Sequence, residues 1–151
     1  MTGEYRAPKE VRMDECFICD IAAGTGEASI VFEDDIVIAF MVIPPVNPGH
    51  VLVVPRTHLP YLADLDDATG AHMFRVTMRI ERAIWASGVR CEGTNLFMAN
   101  GEAAFQEVFH AHMHGFPRFG ADAFKLDADW LVRPPREELY EVASRIRGAL
   151  E

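Results

Sequence analysis

Three of the chain's six histidines fall in one short run, VFHAHMHGF, where His110, His112 and His114 alternate with apolar residues. Imidazole works near neutral pH as base, nucleophile or metal ligand. Alternate side chains of an extended strand point the same way, so the spacing predicts one face with imidazoles about 6.6 Å apart at the backbone. Three rings crowded together compete for charge and for partners, which disfavours a purely structural role. Two chemistries stay open. H-x-H on a strand can supply two ligands to a metal, with a third from elsewhere. Alternatively, a neutral imidazole held as one tautomer by an Nδ1–H bond to a carbonyl offers Nε2 to phosphorus. Its neighbours would then bind phosphate oxygens.

A second group is Cys16-x-x-Cys19, with Cys91 standing alone. An odd cysteine count in a chain of cytoplasmic character does not suggest a disulfide framework. The pair reads as a metal knuckle or a redox pair. A redox pair would follow a strand, whereas only the polar stretch MTGEYRAPKEVRMDE precedes this one. That stretch lacks the apolar region of a secretory signal. Residues 1–14 are expected to form a flexible tail, and residues 15–151 a single cytoplasmic domain. The net charge of −9 argues against a nucleic-acid polymer as partner but not against a small phosphorylated ligand. No run approaches the ~18 apolar residues of a membrane span.

The elements that must position these groups follow from patterning. CFICDIAAG reads as a short helix stopping at Gly24. SIVFE and IVIAFMVI read as strands around the acidic turn Glu33-Asp34-Asp35, and VLVVP as a buried strand. PPVNPGH is a turn cluster. From about Asp66 to Ser87, Met73, Val76, Ile80 and Ile84 recur at helical spacing, with Gly88 as the stop. TNLFMAN reads as a strand, NGEAAFQE as a loop and VFHAHMHGF as a strand. The last segment reads as an amphipathic helix with Leu139, Val142, Ile146 and Leu150 on one face and Pro135 near its first turn. The fold class is α+β, a sheet packed with one long helix and a C-terminal helix. Cys91 reads as core.

His110-Ala-His112-Met-His114-Gly-Phe resembles the signature of the histidine triad (HIT) family. CFICDI, VFEDD-IVIAF, NPGHVLVVPRTH and NGEAAFQEVFHAHMHGFPRF resemble further family blocks in the family's order, covering about Glu15 to Arg118. The resemblance implies an antiparallel five-stranded sheet and a homodimer. It also implies a nucleotide hydrolase or transferase working at the α-phosphate, with purine nucleoside phosphoramidates or dinucleoside polyphosphates as default substrates. On this resemblance His112 is the nucleophile and His114 contacts phosphate oxygens. Gln106, Val108 and Asn100 belong to the phosphate loop region, and His50 is an accessory active-site histidine. Phe17, Ile18, Ile21, Phe40 and Ile43 would wall the base pocket; read without the family, each is simply a core residue. The family's bacterial-type branch further implies one structural zinc per chain on Cys16, Cys19, His58 and His110, in keeping with tetrahedral Cys₂His₂ chemistry.

Two positions depart from the family pattern. Val42 stands where an aspartate usually accepts hydrogen bonds from ribose hydroxyls, and losing a charged acceptor costs on the order of 1.5–3 kcal/mol. Phe105 stands where a glycine usually precedes the loop glutamine, and it fits poorly if that position needs a positive φ. Pro44-Pro45 stiffens the turn that leads to His50. An alternative reading is therefore a nucleotide- or phosphate-binding module with weak or altered activity.

Overall fold

The strands β2 (Val37–Met41) and β3 (Val51–Pro55) are almost wholly apolar and buried on both faces, so they form the middle of the molecule. Alternation divides their side chains cleanly. Val37, Ala39, Val51 and Val53 face one core cluster, while Ile38, Phe40, Leu52 and Val54 face the other. Each of these side chains larger than alanine contributes about 1.5–3 kcal/mol relative to exposure. The computed structural model describes residues 15–150, so the expected N-terminal tail lies outside the described residues. Among the described residues three α-helices accompany a five-stranded sheet of order β1-β2-β3-β5-β4 in which every neighbouring pair is antiparallel. The outer strands are β1 (Ile30–Glu33) and β4 (Gly93–Phe97), and β5 spans Met113–Arg118.

The long helix α2 (Asp67–Ala86) starts where Asp66 accepts from the Thr69 amide at 2.9 Å. Its buried stripe of Met73, Val76, Ile80 and Ile84 packs on one face of the sheet, as the periodicity predicts. The short helix α1 (Phe17–Ala22) buries Ile18 and Ile21 against the opposite face. Arg56 Nη1 donates to Ala22 O at 2.7 Å and ties the end of α1 to the residue after β3. The acidic turn is closed by Asp34, whose Oδ1 accepts from the Ile36 and Val37 amides at 2.9 Å. Cys91 is half-buried against the α2-side core, with Sγ–H donating to Gly93 O at 3.2 Å. Among the described residues no helix is long and apolar enough to cross a membrane.

The structure refines several expectations about elements. The strand expected over VFHAHMHGF begins only at Met113. The Ala111 amide donates to Leu59 O at 2.6 Å, in the segment after β3, instead of joining the sheet ladder. β2 ends at Met41 and β4 at Phe97, so Val42, Ile43 and Met98 fall outside the strands. The NGEAAFQE loop contains one 3₁₀ turn, Glu102–Ala104. Finally, α3 (Arg136–Gly148) forms as the amphipathic pattern predicts, but none of its residues is buried; Leu139, Val142 and Ile146 stand exposed.

The turn that delivers His50 to the site depends on Gly49. Its φ is +99°, and an added Cβ would lie 2.8 Å from the Pro117 ring. Gly49→Ala is expected to lower stability by about 1–3 kcal/mol, because backbone strain and overpacking act together. Urea unfolding checks this, and an unchanged midpoint would show that the turn relaxes freely.

Candidate active site and metal cluster

The carbonyl of His110 sets the site's geometry. His112 Nδ1 lies 2.6 Å from His110 O, so Nδ1 carries the proton and Nε2 keeps its lone pair. The next pair is fixed from the other side. The Val46 amide donates to His50 Nδ1 at 3.0 Å, which leaves the proton of neutral His50 on Nε2. That Nε2–H donates to His114 Nδ1 at 2.8 Å, and the proton of His114 therefore sits on its own Nε2. The neutral state follows from burial, which pushes His50 and His114 down to about 4 and His112 below the ordinary histidine value. The His112 and His114 ring centroids are 4.9 Å apart. One ring thus offers a lone pair beside a second that offers an N–H donor. A nucleophile next to an oxyanion-stabilising group suits attack on phosphorus.

These rings line a cavity of about 530 Å³ together with Val42, Phe105 and Val108. A second cavity of about 270 Å³ shares Phe17, Val42, Ile43 and Leu52 with it and extends to Ile21 and Phe40. Of the residues expected to wall a base pocket, Phe17, Ile21, Phe40 and Ile43 are thus brought together. Ile18 is fully buried beneath them, packed in the α1-side core, and is absent from both linings. Gln106 is also absent from the linings, and its amide is fully engaged. Oε1 accepts from Gly101 N at 2.7 Å, and Nε2 donates to Pro60 O and Val108 O. It closes the loop that presents Val108. Asn100 Oδ1 accepts from Leu62 N at 2.8 Å, which anchors the 3₁₀ turn Leu62–Asp64, and it too lies outside the linings.

Phe105 occupies the left-handed region at φ +66°, at the end of the 3₁₀ turn, and the residue is 83% exposed. The glycine that the resemblance implies at this position would meet that φ freely, whereas the phenylalanine bears roughly 1 kcal/mol or more of strain. Val42 donates its amide to His50 O at 3.0 Å and turns an apolar side chain toward both cavities.

His110 does not share the cavity with its two neighbours, contrary to a single strand face. The chain before Met113 is not pleated into the sheet, and the buried ring of His110 turns to α1. His110 Nε2–H donates to Pro55 O at 2.8 Å, so Nδ1 is left to face Cys16 Sγ at 3.5 Å and Cys19 Sγ at 3.6 Å. His58 Nδ1 lies 3.2 Å from Cys19 Sγ. The four ligand atoms lie within 4.8 Å of one another. Tetrahedral bonds of ~2.0–2.3 Å to nitrogen and sulfur place donors ~3.3–3.8 Å apart, so the cluster fits one metal ion. Burial, reinforced by the neighbouring Cys16, pushes the Cys19 thiol up to about 11, and a bound cation would reverse that cost. His58 turns Nδ1 toward the cluster and packs its ring edge-on against His110, with centroids 5.2 Å apart.

A model of the HIT domain matches residues 24–121. The chain belongs to the HIT family. Protein hit from Bacillus subtilis is 39% identical over 141 residues, which span 91% of this chain and 95% of the relative. A Zn-bound histidine triad family protein from Mycobacterium smegmatis has a similar crystal structure, with TM-score 0.71 and 36% identity over 90% of this chain and 98% of that one. Adenylylsulfatase HINT3 from Arabidopsis thaliana is 29% identical over 78% of this chain and 59% of its own length. The triad, the loop glutamine and the Cys-x-x-Cys were visible in the sequence. The His50–His114 bond was not, because it joins residues 64 positions apart and depends on the turn at Gly49.

The purified protein is expected to carry one metal ion per chain by elemental analysis. Cys19→Ser should lose it, and a strong chelator should lower Tm. Full thermal stability in a metal-free preparation would overturn the assignment.

Proposed function

We propose that the chain is a nucleotide hydrolase or transferase that cleaves at the α-phosphate through a nucleotidyl–histidine intermediate on His112. The single observation that carries this reading is the fixed tautomer of His112, with Nδ1–H on the His110 carbonyl and a free Nε2 in the cavity. In the first step Nε2 attacks the α-phosphorus and an N–P bond forms. The bond from phosphorus to the leaving group breaks, and that group departs with a proton from solvent. The His110 carbonyl stabilises the positive charge that develops on the ring. His114 Nε2–H donates to a phosphate oxygen, held in that role by His50. Water then attacks phosphorus, the N–P bond breaks, and a nucleoside monophosphate leaves. Two displacements replace one harder one.

Purine nucleoside phosphoramidates or dinucleoside polyphosphates are the substrates we favour. The apolar cavity beside the histidines supports a base there, and the adenylylsulfatase relative supports chemistry at a nucleotide. Zinc is the metal we assign to Cys16, Cys19, His58 and His110. The donor set and the Zn-bound relative support it. Four protein ligands leave no open position, so the ion would cross-link α1 to the segment bearing His112. Val42 and Phe105 favour a second reading, a binding module of low activity, because the ribose acceptor is missing and the loop is strained. We also propose a cytoplasmic homodimer. The edge strand β4 and the exposed apolar stripe of α3 are the surfaces that support a second copy.

Wild-type protein is expected to release AMP from an adenosine 5′-phosphoramidate, with His112→Ala lowering the rate by more than about 10³-fold. The 2′-deoxy analogue should turn over within about threefold of the ribonucleotide, since Val42 offers no acceptor. Turnover equal to the His112→Ala control would favour the binding module. Light scattering is expected to give the mass of two chains; a monomer at micromolar concentration would overturn the dimer.

A further inference from the structure

The cavity next to the histidines has an apolar body and a polar end. Phe17, Ile21, Phe40 and Leu52 supply flat and aliphatic walls. Glu27 and Ser29, on the segment between α1 and β1, supply polar side chains. Among the described residues Glu27 makes no hydrogen bond or ion pair, and it is exposed. Its location decides which part of a ligand it meets. The walls shared with the histidine cavity are Phe17, Val42, Ile43 and Leu52, so they lie between the two cavities. Glu27 lines only the cavity without histidines. On the proposed nucleotide reading, a phosphate at His112 and His114 would put the sugar along the shared walls and the base toward Glu27.

On the reading that this site takes nucleotides, we infer that Glu27 selects the base and favours guanine. An ionised carboxylate is an acceptor only, with two oxygens side by side. Guanine's Watson–Crick edge presents two adjacent donors, N1–H and the N2 amino group, which match those oxygens in parallel. Adenine presents one amino donor beside the N1 lone pair, and that lone pair would face the second carboxylate oxygen. Pyrimidines leave part of the apolar wall uncovered. A polar group that pairs with one base and opposes the other discriminates more strongly than apolar packing does. Glu27 is the carboxylate in this lining, and Val42 contributes no competing acceptor.

Calorimetric binding of GMP and AMP tests the inference without depending on turnover. Wild-type protein is expected to bind GMP about tenfold more tightly than AMP, the effect of a charged hydrogen-bonded pair reduced by solvent exposure. Glu27→Ala should weaken GMP and bring the two within about twofold. Glu27→Gln should shift the preference toward AMP, because an amide donates to adenine N1 and accepts from N6. The same order should appear in kcat/KM for guanosine and adenosine phosphoramidates. A GMP preference that Glu27→Ala removes sustains the inference even if no substrate turns over, in which case only the proposed reaction fails. Equal binding of AMP and GMP by wild type would overturn it. So would a Glu27→Ala variant that weakens both nucleotides alike, which would place the carboxylate on the sugar.

Discussion

One residue, His110, connects the chemistry to the scaffold. Its carbonyl holds the His112 proton on Nδ1, and its ring is fixed between the Pro55 carbonyl and the two thiols. A nucleophilic imidazole needs both the right tautomer and a ring that does not rotate, and a short backbone acceptor supplies both. That acceptor stays in place only if the segment before β5 stays in place. The segment lacks the sheet ladder, and its anchors are the Ala111–Leu59 bond and the His110 ring itself. The cluster of cysteines and histidines therefore does for this segment what strand pairing does for β5.

The middle of the sheet provides the rigid reference. β2 and β3 are buried on both faces, and β3 carries the Pro55 carbonyl at one end and leads in from His50 at the other. One strand thus fixes the metal-side ring and the cavity-side ring at opposite ends of its length. The turn between β2 and β3 is the more delicate part. It places Val42 and Ile43 along the cavities and His50 against His114, through a glycine where a side chain would be strained and crowded.

Much of this was legible in the sequence. The α2 stripe, the α1 stop at Gly24 and the two central strands follow from apolar periodicity, a local property. The triad and the cysteine pair were legible as chemistry because few structural roles need such residues at such spacing. The boundaries of β5 were not legible, because alternation of apolar and polar residues continues past the point where the ladder stops. Asn100 and Gln106 illustrate a second limit. The family blocks draw both toward the phosphate, yet Asn100 Oδ1 is taken up by the Leu62 amide and the whole Gln106 amide by backbone groups of Gly101, Pro60 and Val108. Polar residue type alone does not reveal whether its partner is a ligand or the loop itself. The exposure of the α3 stripe was equally hidden, since an amphipathic pattern specifies that a face wants cover without specifying what covers it.

The helix α1 has only six residues, and it serves two sites at once. Cys19 belongs to the metal cluster, with Cys16 just ahead of the first turn, while Phe17 and Ile21 wall the neighbouring cavity. A helix this short has little stability of its own and keeps its place through Ile18, Ile21 and the Arg56–Ala22 bond. Were a metal at one site to order this helix further, it would spare a ligand at the other part of that cost. By thermodynamic reciprocity, the factor by which a metal raises affinity for the cavity's occupant is the same factor by which that occupant retains the metal.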